Sequence, residues 1–181
     1  GHWGPGWDET ARRGQVAEYM RNFSSERLLD YLQDENVRYL SWGAKNLHAV
    51  ALEAERLQVS LHIDYVLTHG QQTSAADKAV FTRVWGAGCL DHYGSKEGGQ
   101  LAYSCPSGQG MHINAESVLI EIVDKDGRAV PEGTEGRVVM TPFVSTAQPL
   151  IRYDQGDIAK FGAPCSCGRG LPVIAAISGR T

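Results

Sequence analysis

The texture of the chain changes near its middle, and that change limits the folds open to it. Up to about residue 98, helical and strand patterns alternate; from Leu101 onward the sequence is strand-like, broken by turns and almost free of helical period. In the first part, residues 8–23 read as a weak helix with apolar Val16, Tyr19 and Met20. Ser24 or Ser25 can cap a second helix, in which Leu28, Leu29 and Leu32 recur at helical spacing. Residues 37–42 read as a strand, 44–57 as a longer helix, and 64–68 as a strand ending at His69-Gly70. Thr73 or Ser74 then caps a helix running to Val84, with Asp77 placed for a capping-box variant, and 88–91 form a further strand. Strands alternating with helices predict βαβ units and a parallel sheet, with ligands at the carboxyl ends of the strands.

The second part predicts strands over 118–123, 136–141, 157–161 and 173–177, with a hairpin turn over 124–128. This is a small β-barrel or β-sandwich module, and the boundary falls in the glycine-rich stretch 98–112. Leu90, Val138, Val139 and Ile151 are expected in the core. Seventeen basic and 21 acidic side chains give a charge of −4. No basic face suits nucleic-acid phosphates, so no nucleic-acid partner is expected. No run approaches the roughly 20 apolar residues of a membrane span, and no secretory signal is visible. Four cysteines are too few for a disulfide scaffold, which points to the cytoplasm.

Three segments carry chemistry. The first is Asp91-His92-Tyr93-Gly94-Ser95-Lys96-Glu97-Gly98-Gly99, a strand end followed by a glycine turn and a carboxylate. The second is Pro149-Leu150-Ile151-Arg152-Tyr153-Asp154-Gln155-Gly156-Asp157-Ile158, and the third is Ile177-Ser178-Gly179-Arg180-Thr181. In this order they resemble the nucleotide-site motifs of the adenylate-forming, or acyl-CoA synthetase, superfamily. The stretch Cys165-Ser166-Cys167-Gly168-Arg169-Gly170-Leu171-Pro172 and the turn-and-strand region 123–137 are similar to its phenylacetate–CoA ligase and capsular-polysaccharide branch. The likeness runs from about residue 37 to the end.

The resemblance implies a three-layer parallel-sheet α/β subdomain over 1–104 and a small distorted β-barrel subdomain over 105–181. It implies a ligase that joins a carboxylic acid to ATP as acyl-AMP, then passes the acyl group to CoA or another thiol acceptor, a protein thiol included. Such chemistry must orient two anions and stabilise added negative charge. Glu97 is then the Mg²⁺ ligand, a carboxylate for a hard cation. Gly94 lets the backbone approach the nucleotide, Tyr93 offers a face to adenine, and Asp157 accepts both ribose hydroxyls. Arg180 approaches ribose and phosphates, and Gly70 lines the adenine pocket.

Position 96 departs from the pattern. Lys96 stands where the family has a threonine that contacts the α-phosphate. Its ammonium can replace that bond as a point charge, or it can point outward and mark a degenerate site. Relatives also carry a Ser/Thr/Gly-rich phosphate loop upstream and a C-terminal domain with a catalytic lysine. Neither is recognisable here, so the chain is expected to be part of a longer ligase, inactive without its missing parts.

Cys105, His112, Cys165 and Cys167 can supply three thiolates and one imidazole, the closed set of a structural Zn²⁺ site. The competing reading is a set of free, partly buried thiols with a hydrogen-bonded histidine. Residues 41–44 and 69–71 are candidate walls of the acyl pocket, although Trp42 also suits simple packing; His48 is expected on the surface, and Cys89 in the core. The rival to a ligase is a non-catalytic, zinc-stabilised domain that binds a nucleotide or a partner.

Overall fold

A computed structural model describes residues 24–180; the weak helix expected over 8–23 lies outside them. The elements are α1 (Ser25–Asp34), β1 (Tyr39–Gly43), α2 (Ala44–Leu57), β2 (Tyr65–His69), α3 (Ala75–Trp85), β3 (Gly88–Ser95), β4 (Gly99–Ser104), β5 (Met111–Ile113), β6 (Val118–Val123), β7 (Gly136–Pro142), β8 (Tyr153–Gly162) and β9 (Val173–Arg180).

The helices begin where the sequence offers caps. Ser24 caps α1, accepting from Arg27 N. Ser74 and Asp77 cap α3 reciprocally, each side chain satisfying the other's backbone N–H, and Gly86 closes that helix in the left-handed conformation. The apolar stripe of each helix enters one core. Leu28, Leu29 and Leu32 of α1 meet Leu47, Val50, Ala51 and Ala54 of α2, and Val80, Phe81 and Trp85 of α3, over Leu40 and Val66 of the sheet. Burying each large side chain stabilises the fold by about 1.5–3 kcal/mol.

The strands join one mixed, open sheet in the order β1-β2-β3-β4-β5-β9-β8-β7-β6. β1, β2 and the first half of β3 are parallel; the remaining pairings are antiparallel. Buried side chains of β4 through β9 form a second core, including Leu101, Ile113, Ile120, Val138, Met140 and Ile174. Strands from β4 to β6 share that core, so the sheet wraps around it. No ladder joins β6 to β4 among the described residues, so hydrogen bonding closes no barrel.

Three expectations need correction. Tyr39 and Tyr65, a register pair, stand exposed on the face away from the helices. The described residues therefore show two layers, helix and sheet, rather than three. Ile151 is 77% exposed rather than core. It precedes Arg152, whose φ of 51° turns the chain and which is held there by Thr141 Oγ1, Glu121 and Gly127 O. The β4–β5 hairpin lies in the stretch 98–113. His48 is half-buried, its Nδ1 2.6 Å from Asp77 Oδ1, and ties α2 to α3. Trp42 and Cys89 pack against the first core, as expected.

Candidate functional site

β3 changes partner within its length. Through Asp91 it pairs with β2 in parallel; from His92 it pairs with β4 antiparallel, with a register shift between Tyr93 and Gly94. Such irregularities re-aim side chains. At Gly94 a Cβ would lie 2.6 Å from Gly99 O, so only glycine allows this close turn.

The shifted strand sends the Tyr93 hydroxyl to Asp157, donating to Oδ2 at 2.7 Å. Burial first, and the Asp157 carboxylate second, push the Tyr93 phenol far above its ordinary value, so it stays a donor. Asp157 lies opposite Arg180 in the β8–β9 ladder. Arg180 Nε sits 3.0 Å from Asp157 Oδ1, and its Nη2 donates to Gln155 O at 3.2 Å. Asp157 is 13% exposed at its side chain. An ionised carboxylate has about four lone-pair positions, so two donors leave it capacity for ligand hydroxyls. Tyr93, Asp157 and Arg180, far apart in sequence, thus form one triad beside Gly94.

Lys96 and Glu97 lie at the tip of the β3–β4 hairpin. They line a hollow of about 610 Å³ with Ser145, Thr146, Gln148 and Tyr153. Residues bearing an ammonium, a carboxylate and three hydroxyls line one space there, a set that suits phosphate oxygens and a hard cation. The lining reaches β8 at Tyr153, not at Asp157.

Gly70 follows β2 with φ +75°, a conformation that favours glycine. A buried network fixes its turn: Thr73 Oγ1 to Thr68 Oγ1 at 2.6 Å, Thr68 Oγ1 to Asp91 Oδ1 at 2.9 Å, and Thr73 N to Asp91 Oδ2 at 3.2 Å. The hydrogen bonds and ion pair of the triad do not involve Gly70. Beside this turn runs a row of rings that sequence reasoning missed. His69 and His92 centroids are 5.5 Å apart, and His92 and Tyr103 are 5.6 Å apart. Burial, then His69, lowers the His92 pKa and favours neutral imidazole. The signal available was its place directly before Tyr93.

The cysteines and the histidine converge as expected. One ligand atom from each of Cys105, His112, Cys165 and Cys167 lies within 4.8 Å of the others. Cys105 Sγ and Cys165 Sγ are 3.7 Å apart, and Cys167 Sγ is 3.2 Å from His112 Nε2. Tetrahedral zinc with Zn–S bonds of about 2.3 Å has sulfur–sulfur edges near 3.8 Å, so the set fits. Ser107 Oγ sits 2.9 Å from Cys105 Sγ and 3.4 Å from Cys165 Sγ. Its hydrogen bonds are the largest influence lowering both thiols, Cys165 to about 7. Gln109 Oε1 accepts from Ser166 N and Oγ, both at 3.0 Å, and holds the Cys165–Cys167 turn. Nothing in the sequence but closeness to Cys105 marked Ser107 or Gln109.

No family model matches the chain. It is 30% identical over 165 residues to a phenylacetate-coenzyme A ligase of Thermus thermophilus, covering 87% of this chain and 37% of that protein. It is 25% identical over 169 residues to another of Aromatoleum evansii, covering 90% and 38%. The chain thus spans under two fifths of the length of these relatives. An open conformation of 2-hydroxyisobutyryl-CoA ligase, in complex with 2-HIB-AMP and CoA, superposes with a TM-score of 0.75 at 24% identity, covering 86% of this chain and 39% of that one. A long-chain-fatty-acid-CoA ligase from Archaeoglobus fulgidus superposes with a TM-score of 0.63 at 12% identity, covering 88% and 37%. At these identities the structural likeness shows the fold.

Proposed function

We infer that this chain, which belongs to the adenylate-forming superfamily, supplies the nucleotide-facing part of a ligase that activates a carboxylic acid. The acid's carboxylate oxygen attacks the α-phosphate of ATP, forming acyl-AMP and releasing pyrophosphate. A thiolate, of CoA or of a protein, then displaces AMP to give a thioester. The observation that carries this reading is the Tyr93–Asp157–Arg180 triad beside the Gly94 turn.

In it, Asp157 accepts the ribose hydroxyls with the lone pairs left free by Tyr93 and Arg180. Tyr93 gives its ring face to adenine while its hydroxyl anchors Asp157. Gly94 and Gly70 keep the pocket walls free of Cβ atoms, and Arg180 adds charge toward the phosphates. Glu97 would hold Mg²⁺, which neutralises phosphate charge when bound. Lys96 faces the same hollow, which favours a phosphate-binding ammonium over an outward-pointing one. Cys105, His112, Cys165 and Cys167 would hold a structural Zn²⁺, their donor set and spacing fitting it.

The division into an α/β subdomain over 1–104 and a barrel-like β subdomain over 105–181 belongs to the same reading. The exposed face bearing Tyr39 and Tyr65 is where the third layer would pack. No helix among the described residues is long and apolar enough to cross a membrane. The free thiols fit a cytoplasmic setting.

Titration of AMP into the purified chain, followed by calorimetry, tests the nucleotide reading. Saturable binding is expected, weakened at least tenfold by Asp157→Asn; an unchanged affinity in that variant contradicts it. Elemental analysis tests the metal: about one equivalent of zinc is expected, and less than a tenth of an equivalent rejects it.

A further inference from the structure

The sheet has one narrow seam. β5 and β9 share only the register pairs Met111↔Ile174 and His112↔Val173, the shortest ladder between adjacent named strands. A hydrogen bond from Ile113 N to Pro172 O at 2.9 Å extends it. Through this seam the block β6–β9 continues the ladder of β1–β5. The two blocks meet again at the triad, where Tyr93 of β3 bonds Asp157 of β8.

The thiol–imidazole cluster straddles the seam. Cys105 and His112 come from the β4–β5 hairpin on one side; Cys165 and Cys167 come from the β8–β9 turn on the other. Ser107, Gln109 and the Cys167–His112 contact already bring the two sides together, but only through single polar contacts at 2.9–3.4 Å. His112 Nδ1 is buried without a partner, and Cys105 Sγ faces Cys165 Sγ at 3.7 Å. A thiol–thiol contact is weak, whereas a metal bound by all four would join the two sides directly.

The β8–β9 hairpin carries this turn at one end and the Asp157↔Arg180 pair at the other. Val173 to Arg180 spans about 23 Å at the rise of an extended strand. A tilt at the seam is therefore amplified at the triad.

We propose that a divalent metal held by Cys105, His112, Cys165 and Cys167, zinc by its donor set, staples the β5–β9 seam and thereby keeps Asp157 and Arg180 against Tyr93. The four ligands are positioning residues for the triad, acting through the hairpin. This rests on the metal reading above and adds a mechanical link that the reading does not contain.

The test compares amide hydrogen exchange in the zinc-loaded 181-residue chain and in the same chain stripped by a chelator, with zinc content measured in both. Exchange over 111–113, 153–158 and 173–180 is expected to rise at least tenfold on stripping, with 47–54 and 65–69 unchanged. Cys167→Ser, left unchelated, is expected to reproduce the pattern; if that variant does not fold, the chelation arm still decides. Unchanged exchange in a chain that had bound an equivalent of zinc overturns the staple but leaves the metal reading standing. Equal acceleration in both blocks also overturns it, since the metal would then stabilise the whole fold rather than the seam. A chain that binds no zinc overturns the metal reading, and the staple with it.

Discussion

Phe81 and Trp85 stack 5.9 Å apart in the core beneath the parallel strands, with three leucines of α1 packed around the same centre. The core inside β4–β9 is built differently. Its buried members are aliphatic residues and Met140; Tyr93 and Phe161 reach it only in part. The first region therefore rests on large side chains held by capped helices. The second rests on a smaller core, a chain of antiparallel ladders and a four-residue thiol–imidazole cluster. Small cores are where structural metals contribute most. The candidate site also divides: the β region supplies Asp157 and Arg180, while Tyr93 lies on β3, which changes partner from β2 to β4, and Lys96 and Glu97 lie in the hairpin tip that follows it.

This contrast can be broken by substitution. Phe81→Ala should cost about 3–5 kcal/mol of stability, read from the urea midpoint, yet leave zinc content unchanged in the folded protein. Loss of zinc in folded Phe81→Ala would mean that the two cores are not separate. Tyr93→Phe removes a hydrogen bond to a carboxylate and should cost about 1.5–3 kcal/mol. Its effect should concentrate in hydrogen exchange at 153–158; a change confined to α1–α3 would show that the triad does not join the regions. Ser74→Ala removes one arm of a capping box and should cost about 1 kcal/mol, visible as faster exchange early in α3 and none in β6–β9.

The smallest expected effect is a pH dependence confined to the same helix. Ser74's hydroxyl hydrogen bond, with its backbone bond and His48 as lesser causes, holds Asp77 below the usual carboxylate range. The folded pKa is depressed, so this stabilisation is present above about pH 4 and is lost as pH falls through the lower folded value. Helicity measured from pH 5 to 2 should fall earlier in native protein than the β-strand signal. An Asp77→Asn variant with the same acid profile would remove Asp77 as the cause.

Much of this was legible in the sequence because local chemistry marked it. Ser24 and Ser74 announced helix starts, the Leu28-Leu29-Leu32 spacing marked a buried stripe, and Val118–Val123 formed the expected strand. The three cysteines and the histidine that the sequence grouped as one candidate metal set do lie together. What escaped depended on the path of the chain in space. β3 reads as a short strand because its second half pairs with β4 rather than β2, and no periodicity announces a change of partner. Ile151 looked like core because apolar identity carries no information about Arg152's left-handed turn. The row His69–His92–Tyr103 joins residues from three strands, visible only once those strands pair.

The most direct measurement is a crystal structure of the zinc-loaded chain soaked with AMP. Ribose hydroxyls are expected on the Asp157 carboxylate, the adenine ring along Tyr93, and the phosphate directed toward the Lys96–Glu97 hollow. AMP bound on another surface, with Asp157 still holding only Tyr93 and Arg180, would contradict it.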